Sequence, residues 1–259
     1  MQDPDWMNRE LDQFPLTGRF LMGRLRHAMK PAEKRGIESL VEETHELAPG
    51  TTILRRGELV TRSAILIEGM VLRVVQDEGR RFAVGIQVAG DFVDLHGFAL
   101  RRLDHDLVSV GAARIGVVSH DRLATTLERN LHLARILWFS TLLDAAIHRE
   151  WIMKLEQLTA ARRAAHLFAE LWHRLRLVGL GGREGFRTAL NQIDLADICG
   201  TSAVNMSRAL SRLKAEGVAR FHRGQMTAPD RAALERYGRF NADYLYGSGG
   251  LKVGDELSR

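Results

Sequence analysis

The chain of 259 residues contains a single cysteine, Cys199. One cysteine excludes a disulfide framework within the chain and any four-cysteine zinc or iron–sulfur site. The sequence also lacks a run of eighteen apolar residues, which argues against a transmembrane helix, and its acidic start MQDPDWMNRE lacks the apolar core of a signal peptide. These absences favour a cytoplasmic protein with no membrane partner.

Signatures of catalysis are missing as well. The sequence shows no nucleophile with a partnered base, no phosphate-binding loop and no paired carboxylates in a recognisable catalytic frame. We therefore expect a protein that is not an enzyme.

Charge, by contrast, is present and unevenly distributed. Residues 159–259 carry 16 Lys and Arg against 10 Asp and Glu, whereas residues 1–158 carry 21 against 22. A local positive field is what a domain that binds a polyanion needs. The C-terminal part is therefore the candidate for nucleic-acid binding.

The N-terminal residues show two kinds of pattern. Residues 1–16 have no clear hydrophobic period and are predicted to form a loosely ordered arm. Residues 18–30 have apolar positions at helical spacing, and Pro31 is predicted to end or redirect that helix.

From about residue 45 to 120 the hydrophobic period changes to two. Short β-rich runs are separated by turns, among which Glu68-Gly69 and Asp77-Glu78-Gly79 are predicted hairpin turns. Many short strands at this spacing are typical of a sandwich or barrel.

Residues 121–156 contain no glycine or proline and are predicted to form one long helix. Apolar residues spaced by four and three form a heptad-like stripe, and further apolar residues lie off it. Such a helix can pack on its own β domain with one face and on a second copy with the other; burial within one chain is the alternative. The predicted dimer-interface residues are Leu127, Leu131, Ala134, Trp138 and Ala145.

Residues 191–214 have the pattern of a helix-turn-helix. A short helix beginning near Asn191 is followed by Gly200, which suits a tight turn, and then by Thr201 or Ser202 as the cap of a second helix. The outer face of that second helix has short side chains first and then Asn and Arg, which suits insertion into a DNA major groove.

The segment VARFHRGQMTAPD follows and is predicted to form a β-wing with a turn at Arg223-Gly224. Helix, turn, helix and basic wing together predict a DNA-binding domain. Base contacts are predicted for Ser202, Val204, Asn205 and Arg208, and phosphate contacts for Ser207, Arg212, Lys214 and Arg223.

The order of β-rich domain, long helix, hinge and winged helix-turn-helix resembles the Crp/Fnr family of bacterial regulators. DLADICGTSAVNMSRALSRLKAEGV at 194–218 carries the resemblance most sharply, and GDFVDLHGFALRRLDHD at 90–106 resembles an alphaproteobacterial branch. The resemblance implies an α+β fold with a cyclic-nucleotide-binding-like β-roll. It also implies a homodimer that binds a pseudo-palindromic operator in double-stranded DNA and contacts RNA polymerase. Arg208 falls where the family reads a guanine, whereas Ala203 and Val204 replace longer polar side chains of the cyclic-AMP receptor.

The resemblance divides the chain into four parts, with a hinge near residues 156–159 where Thr159 can cap a new helix. The parts are an N-terminal arm and β-roll sensor (1–120), a dimerisation helix and hinge (121–158), a winged helix-turn-helix (159–240) and a C-terminal tail (241–259).

The ligand side departs from the cyclic-AMP receptors, which have a Gly-Glu pair and a later Arg-Ser or Arg-Thr. The equivalent stretch here carries carboxylates that would repel a cyclic phosphate, so we do not expect cyclic AMP. We do not expect an iron–sulfur cluster either, because the family's oxygen sensors use four cysteines and this chain has one. Two imidazoles and one or two carboxylates could instead hold Zn²⁺, Fe²⁺ or Mn²⁺, or these side chains could hydrogen-bond to the backbone and the long helix. A metal or haem sensor and a ligand-independent regulator therefore stay open beside an effector-responsive one. This candidate region consists of Asp94, His96, Asp104 and His105.

Overall fold

The computed structural model describes residues 4–247, which form an α+β fold of a β-roll, long helices and a C-terminal winged helix-turn-helix. The described chain begins with helix α1 (Pro4–Gln13), continues through turns and a 3-10 turn at Arg26–Ala28, and enters helix α2 (Pro31–Leu40). No helix in this part of the chain is long and apolar enough to cross a membrane. The fold class predicted from the sequence is confirmed.

The N-terminal residues differ from the prediction at three points. Much of the predicted loose arm is helix α1, with residues 1–3 outside the described residues. Residues 18–30 form turns rather than a helix, because Leu21 and Gly23 have positive φ angles of 53° and 76°. Pro31 begins α2 instead of ending a helix, since its fixed φ suits the first helical turn.

The β-roll is one antiparallel sheet whose strands are β1 (Glu43–Leu47), β2 (Thr52–Leu54), β3 (Arg62–Asp77), β4 (Arg80–Val88) and β5 (Asp106–Ser119). The strands run in the order β1-β5-β3-β4, and β2 also pairs with β5. A one-turn helix, α3 (Gly97–Leu100), lies between β4 and β5. The interior is apolar, as the period of two predicts, and includes the fully buried residues Leu66, Val71 and Leu107.

One of the two predicted hairpin turns is confirmed. Glu78 and Gly79 join β3 to β4, with φ angles of 46° and 73° that suit a two-residue turn. Glu68-Gly69 instead lies within β3, where the pairing with β5 shifts register on both sides of Glu68. Gly69 has a φ of 89°, and a β-carbon there would lie 2.7 Å from Ala112 O, so this glycine permits a bulge rather than a turn.

Two helices follow the β-roll. Helices α4 (His120–Arg129) and α5 (Leu131–Gln157) replace the single helix predicted over residues 121–156. The break is at Asn130, whose φ of −142° and ψ of 87° lie outside the helical region. Its side chain accepts a 2.9 Å hydrogen bond from Leu133 N and so caps α5, a role that hydrophobic periodicity does not reveal.

The C-terminal unit begins after Leu158, whose extended backbone separates α5 from helix α6 (Ala160–Leu177). Thr159 occupies the predicted N-cap position, although its side chain makes no capping hydrogen bond. The three short strands of this unit pair in the order β6-β8-β7. Its remaining elements are β6 (Gly185–Arg187), α7 (Gln192–Ile198), α8 (Ala203–Ala215), β7 (Arg220–His222), β8 (Gln225–Thr227), α9 (Arg231–Gly238) and a 3-10 turn at Ala242–Leu245.

The C-terminal segment, residues 240–246, packs back across the hinge. Leu245 is fully buried in a core shared with the N-terminal residues and α5, and its carbonyl accepts a 2.8 Å hydrogen bond from Arg24 Nε. The first part of the predicted tail is therefore integrated into the fold, and residues 248–259 lie outside the described residues.

Buried charges join the β-roll to the C-terminal unit. Arg174 of α6 is 4% exposed; its Nη2 lies 2.8 Å from Ile86 O and 2.9 Å from Asp91 Oδ2, and its Nη1 lies 3.2 Å from Glu170 Oε1. Glu170 is fully buried and also accepts a 2.6 Å hydrogen bond from Tyr244 OH of the C-terminal segment. The spacing of four between Glu170 and Arg174 is the only part of this network that the sequence displays.

Candidate nucleic-acid interface

Helix α7 is the first helix of the predicted helix-turn-helix, and neighbouring residues determine its start. Asn191 Oδ1 accepts hydrogen bonds from Ile193 N at 2.7 Å and Asp194 N at 3.1 Å. Asp194 Oδ2 in turn accepts a 3.0 Å hydrogen bond from Asn191 N. This reciprocal capping satisfies donors that a helix start leaves free, and the predicted start of α7 is confirmed.

The turn into the second helix depends on Gly200. Its φ is 57°, and a β-carbon there would lie 2.9 Å from Leu155 Cδ2, so conformation and space both favour glycine. Ser202 then caps α8, since its Oγ accepts a 3.2 Å hydrogen bond from Asn205 N. The predicted turn and cap are confirmed.

Helix α8 separates buried from exposed side chains. Met206, Ala209 and Leu213 are buried in the same core as α6. Val204 is 61% exposed and belongs to the outer side. The exposed residues, which we call the α8 outer face, are Ser202, Ala203, Val204, Asn205, Ser207, Arg208, Ser211, Arg212 and Lys214.

The α8 outer face has the chemistry of a recognition helix. Its first residues have short side chains, so this end of the helix can enter a major groove without steric conflict. Asn205 and Arg208 follow, and their amide and guanidinium groups match the base edges of adenine and guanine. The arrangement can therefore read a DNA sequence.

The residues predicted to contact phosphates differ in their present contacts. Ser207 and Lys214 are exposed, whereas Arg212 Nε lies 2.7 Å from Glu216 Oε1 one helical turn later. The hydrogen bond to Glu216 raises the pKa of Arg212. A phosphate would have to compete with Glu216 for this arginine, which the sequence prediction did not anticipate.

The wing follows α8 as predicted. Strands β7 and β8 form a hairpin whose turn is Arg223-Gly224, with φ angles of 48° and 77°. Arg220 and Arg223 are exposed, whereas the Phe221 ring stacks on Phe168 of α6 with centroids 5.5 Å apart. The wing is thus anchored in the core and presents positive side chains next to α8.

The candidate effector region is only partly assembled. His96 and His105 have ring centroids 5.4 Å apart, and Asp104 Oδ1 lies 2.7 Å from His105 Nδ1. Asp94 instead accepts a 2.8 Å hydrogen bond from Ala64 N. His96 has helical dihedral angles at the start of α3, so the backbone from Asp94 to His96 is not extended.

Burial and charge alter the titration of this region. Burial raises the pKa of Asp94 to about 7, while burial and the neighbouring Arg73 lower the pKa of His96 to about 4. Within residues 4–247 no group of three or more His, Cys, Asp or Glu is placed to hold a metal ion. The geometry of this part of the chain therefore gives the metal-sensor alternative no support.

Arg73 of β3 ties the β-roll to α5 and was not identified from the sequence. It is almost fully buried, its Nη1 donates to Asp144 of α5, and its Nε and Nη2 donate to Val93 O at 3.3 and 3.0 Å. A cleft of about 390 Å³, open to solvent, lies at this junction. Its lining includes Arg73, His96, His105, Asp144 and His148.

The predicted dimer stripe is unevenly exposed. Leu131 and Trp138 are 77% and 66% exposed, whereas Leu127, Ala134 and Ala145 are half-buried. Large apolar side chains in solvent along one helix mark an interaction surface. We call the exposed set the α5 apolar face; it consists of Leu131, Trp138, Leu142 and Ile152.

Cys199 is buried at the end of α7. Burial raises the pKa of its thiol to about 12, so the sulfur stays protonated at neutral pH. These properties are those of a small packing residue.

Comparison with known proteins decides the class of regulator. Residues 162–237 match the family model of the Crp-like helix-turn-helix domain. Residues 162–237 therefore form a Crp-like helix-turn-helix domain, and the chain is similar to transcription regulators of the Crp/Fnr type. Helices α7 and α8 and the wing lie within this domain, as the sequence predicted.

The relatives of this chain are transcription regulators rather than enzymes. The chain is 28% identical over 175 residues to transcriptional activator protein FnrL of Cereibacter sphaeroides, with 65% of this chain and 69% of the relative covered. It is 22% identical over 209 residues to nitrogen fixation regulation protein FixK of Bradyrhizobium diazoefficiens, with 80% and 86% covered. The solved structure of FixK2 from Bradyrhizobium japonicum matches with a TM-score of 0.69 at 20% identity, covering 75% of this chain and 96% of that one, and shares the fold.

Proposed function

We propose that this Crp/Fnr regulator acts as a homodimer on a pseudo-palindromic operator in double-stranded DNA. The observation that carries the proposal is the α8 outer face. Its exposed side chains are short, polar or cationic, whereas the opposite side of α8 is buried. A dimer with two-fold symmetry presents two such helices to the duplex, so its site has two related half-sites.

We assign base reading to the N-terminal half of α8. Arg208 pairs with a guanine and Asn205 with an adenine, while Val204 supplies an apolar contact and Ser202 a hydroxyl at the helix start. The positions of these side chains on one exposed face support the assignment. Phosphates are assigned to Ser207, Arg212, Lys214 and Arg223.

Dimerisation is assigned to the α5 apolar face. The other side of α5 is buried against its own N-terminal unit, through residues such as Leu133 and Leu137, so this face remains for a second copy. A single exposed Leu is ordinary, but an exposed Trp and several aliphatic side chains on one helix favour a partner helix.

Regulation is assigned to the cleft between the β-roll and α5. Arg73 and Asp144 connect the two walls, so a small molecule that displaces this ion pair would alter how α5 sits on the roll. A β-roll that works without a ligand is the alternative. We further propose that the regulator works in the cytoplasm and contacts RNA polymerase, and the names of relatives such as FnrL, a transcriptional activator, favour activation.

Sequence-specific binding is tested by selecting DNA from a random-sequence duplex library with the purified protein. We expect recovery of two related half-sites with centres about 10–10.5 base pairs apart. Arg208→Ala should cost about 1–3 kcal/mol of binding free energy on the selected duplex and relax the preference at one position of each half-site. Arg62→Ala, an exposed arginine at the start of β3, serves as the control. Failure to enrich any sequence would contradict the proposal.

Dimerisation is tested by sedimentation equilibrium. Trp138→Glu should shift the protein from dimer to monomer and weaken operator binding, because a buried charge would replace an apolar contact. Leu100→Glu is the matched control, since Leu100 is an equally exposed apolar residue on α3. A wild-type monomer that binds the operator with full affinity would contradict the assignment.

A further inference from the structure

We propose that Arg80, directly after the β3–β4 turn, contributes a phosphate contact to the DNA interface from the β-roll. The inference rests on the DNA-binding function proposed above. It extends the interface beyond the C-terminal unit, because Arg80 belongs to the sensor domain rather than to α8 or the wing.

The β3–β4 hairpin is docked on the helix-turn-helix. Arg81 Nη1 lies 3.0 Å from Asp194 Oδ1 and 2.8 Å from Asp197 Oδ2, so one guanidinium bridges two carboxylates of α7. Asp194 also takes part in the capping of α7 through Asn191. These contacts position the hairpin relative to α7 and, through the Gly200 turn, relative to the start of α8.

Arg80 borders a cleft between this hairpin and the start of α8. Ser202 caps α8 and Ala203 is its first residue, so the cleft adjoins the helix end that we place in the major groove. The short side chains there leave room for a long side chain from another element. The cleft lining includes Arg80, Phe82, Gly200, Thr201, Ser202 and Ala203.

The surroundings of Arg80 leave its charge available. Its guanidinium stacks over the Phe82 ring at 5.1 Å from the centroid, which restricts the side chain before any ligand arrives. Asp197 lines the same cleft, but its carboxylate is held by Arg81. Within residues 4–247 Arg80 forms no direct ion pair, although its charge acts on Asp197 from a longer distance than that of Arg81.

A DNA phosphate is the counterpart that fits this position. The β3–β4 hairpin lies beside the recognition helix, where the sugar–phosphate backbone flanks the groove, and a guanidinium binds phosphate oxygens in a bidentate manner. A contact of this kind adds affinity without reading the sequence.

Salt dependence of DNA binding tests the proposal. Each phosphate contact contributes about 0.9 to the slope of log K against log salt concentration, and a dimer carries two copies of Arg80. Arg80→Ala should therefore reduce the magnitude of the slope by about 1.8. Between about 50 and 200 mM salt, the wild type should lose roughly twelvefold more affinity than the variant. Fluorescence anisotropy on the duplex selected by the wild-type protein measures both the slope and the loss of affinity.

Three comparisons make the result specific. Arg80→Lys retains the charge and should retain most of the slope, and Arg62→Ala should leave the slope unchanged. The sequence preference of Arg80→Ala should equal that of the wild type. An unchanged slope in Arg80→Ala overturns the proposal, and so does an equal loss in Arg80→Lys, which would assign the effect to packing of the hairpin. If the wild type selects no DNA sequence, the proposed function fails instead.

Discussion

The α8 outer face and the junction between the β-roll and the C-terminal unit use polar residues in opposite ways. On α8 the polar side chains are exposed, and the hydrogen bond that begins the helix joins Ser202 to Asn205, three residues apart. At the junction Arg174 is buried, and its partner Asp91 lies 83 residues away in the sequence. The α8 outer face is free to bind a partner, whereas the charges at the junction are already paired within the fold.

The energetic consequences differ accordingly. An exposed side chain on α8 contributes little to folding, so it can be chosen for DNA alone. A buried charge requires a partner, because removing one member of the pair leaves the other desolvated and uncompensated. Substitutions at the two places should therefore separate DNA affinity from stability.

Replacement of Arg174 should have the largest effect on stability. Arg174→Met removes the ion pairs to Asp91 and Glu170 and leaves the fully buried Glu170 without its cation. We expect a loss of about 3–5 kcal/mol in the free energy of unfolding, measured by urea denaturation at neutral pH.

Arg208→Met is the matched arginine on the exposed surface, and its unfolding free energy should stay within about 0.5 kcal/mol of the wild type. The double variant Arg174→Met/Glu170→Gln should recover part of the loss, since it removes the stranded charge. Equal destabilisation by Arg174→Met and Arg208→Met would contradict the difference between the buried junction and the exposed α8 outer face.

The C-terminal segment should be nearly as sensitive. Leu245→Ala creates a cavity where the segment enters the core beside α5, and we expect it to cost about 2–4 kcal/mol. Leu100→Ala, at an exposed leucine, should change the unfolding free energy little. A negligible effect of Leu245→Ala would show that the segment is not needed to hold the two units together.

Asp94 makes the stability depend on pH. Its pKa in the fold is about 7 against an ordinary value of 3.8, so the fold favours the neutral carboxyl. The resulting contribution to the free energy of unfolding is fully present below pH 4. That contribution is lost as the pH rises through 7. Asp94→Asn removes the titration, so the variant should gain on the order of 2–4 kcal/mol relative to the wild type between pH 4 and pH 8.

Thermal or urea unfolding of both proteins across this range measures the difference. His96, whose pKa is lowered to about 4, changes stability with the opposite sign: its contribution is present above pH 6.5 and is lost as the pH falls through 4. Because both proteins contain His96, its effect cancels. A constant difference between the two proteins from pH 4 to pH 8 would contradict the buried, titrating carboxyl.

The smallest expected effect is at the end of α8. Glu216→Ala frees Arg212 from its ion pair, so affinity for duplex DNA should rise by about twofold while the fold is unchanged. Glu235→Ala, which breaks the corresponding pair with Arg231 on α9, is the control and should leave DNA affinity unchanged. A fall in affinity for Glu216→Ala would mean that Arg212 does not face the phosphates.

Prediction from the sequence succeeded where neighbouring residues decide the structure. The cap at Asn191, the Gly200 turn, the cap at Ser202 and the wing turn at Arg223-Gly224 each depend on side chains within a few positions, and each is present. Prediction failed at residues 18–30, where helical spacing coincides with a backbone that turns at Leu21 and Gly23.

The N-terminal half shows why other contacts could not be predicted from the sequence. An arginine in a strand is ordinarily exposed, yet Arg73 is buried because Asp144, 71 residues later, lies on the helix packed against that strand. Arg81 likewise reaches Asp194 across 113 residues. Residues so far apart in the chain form no local sequence pattern, so these pairs could not be predicted from the sequence.

Residue order by itself determined where the DNA-binding helices, their caps and the wing turn lie, because capping side chains, turn residues and a 3.6-residue apolar period are local signals. Only the tertiary structure decided that Asn130 divides the long helix, that residues 240–246 return across the hinge, and that the β3–β4 hairpin lies beside the recognition helix. Those features arise from the burial of charges and apolar surface between segments far apart in the chain, where packing outweighs local preference.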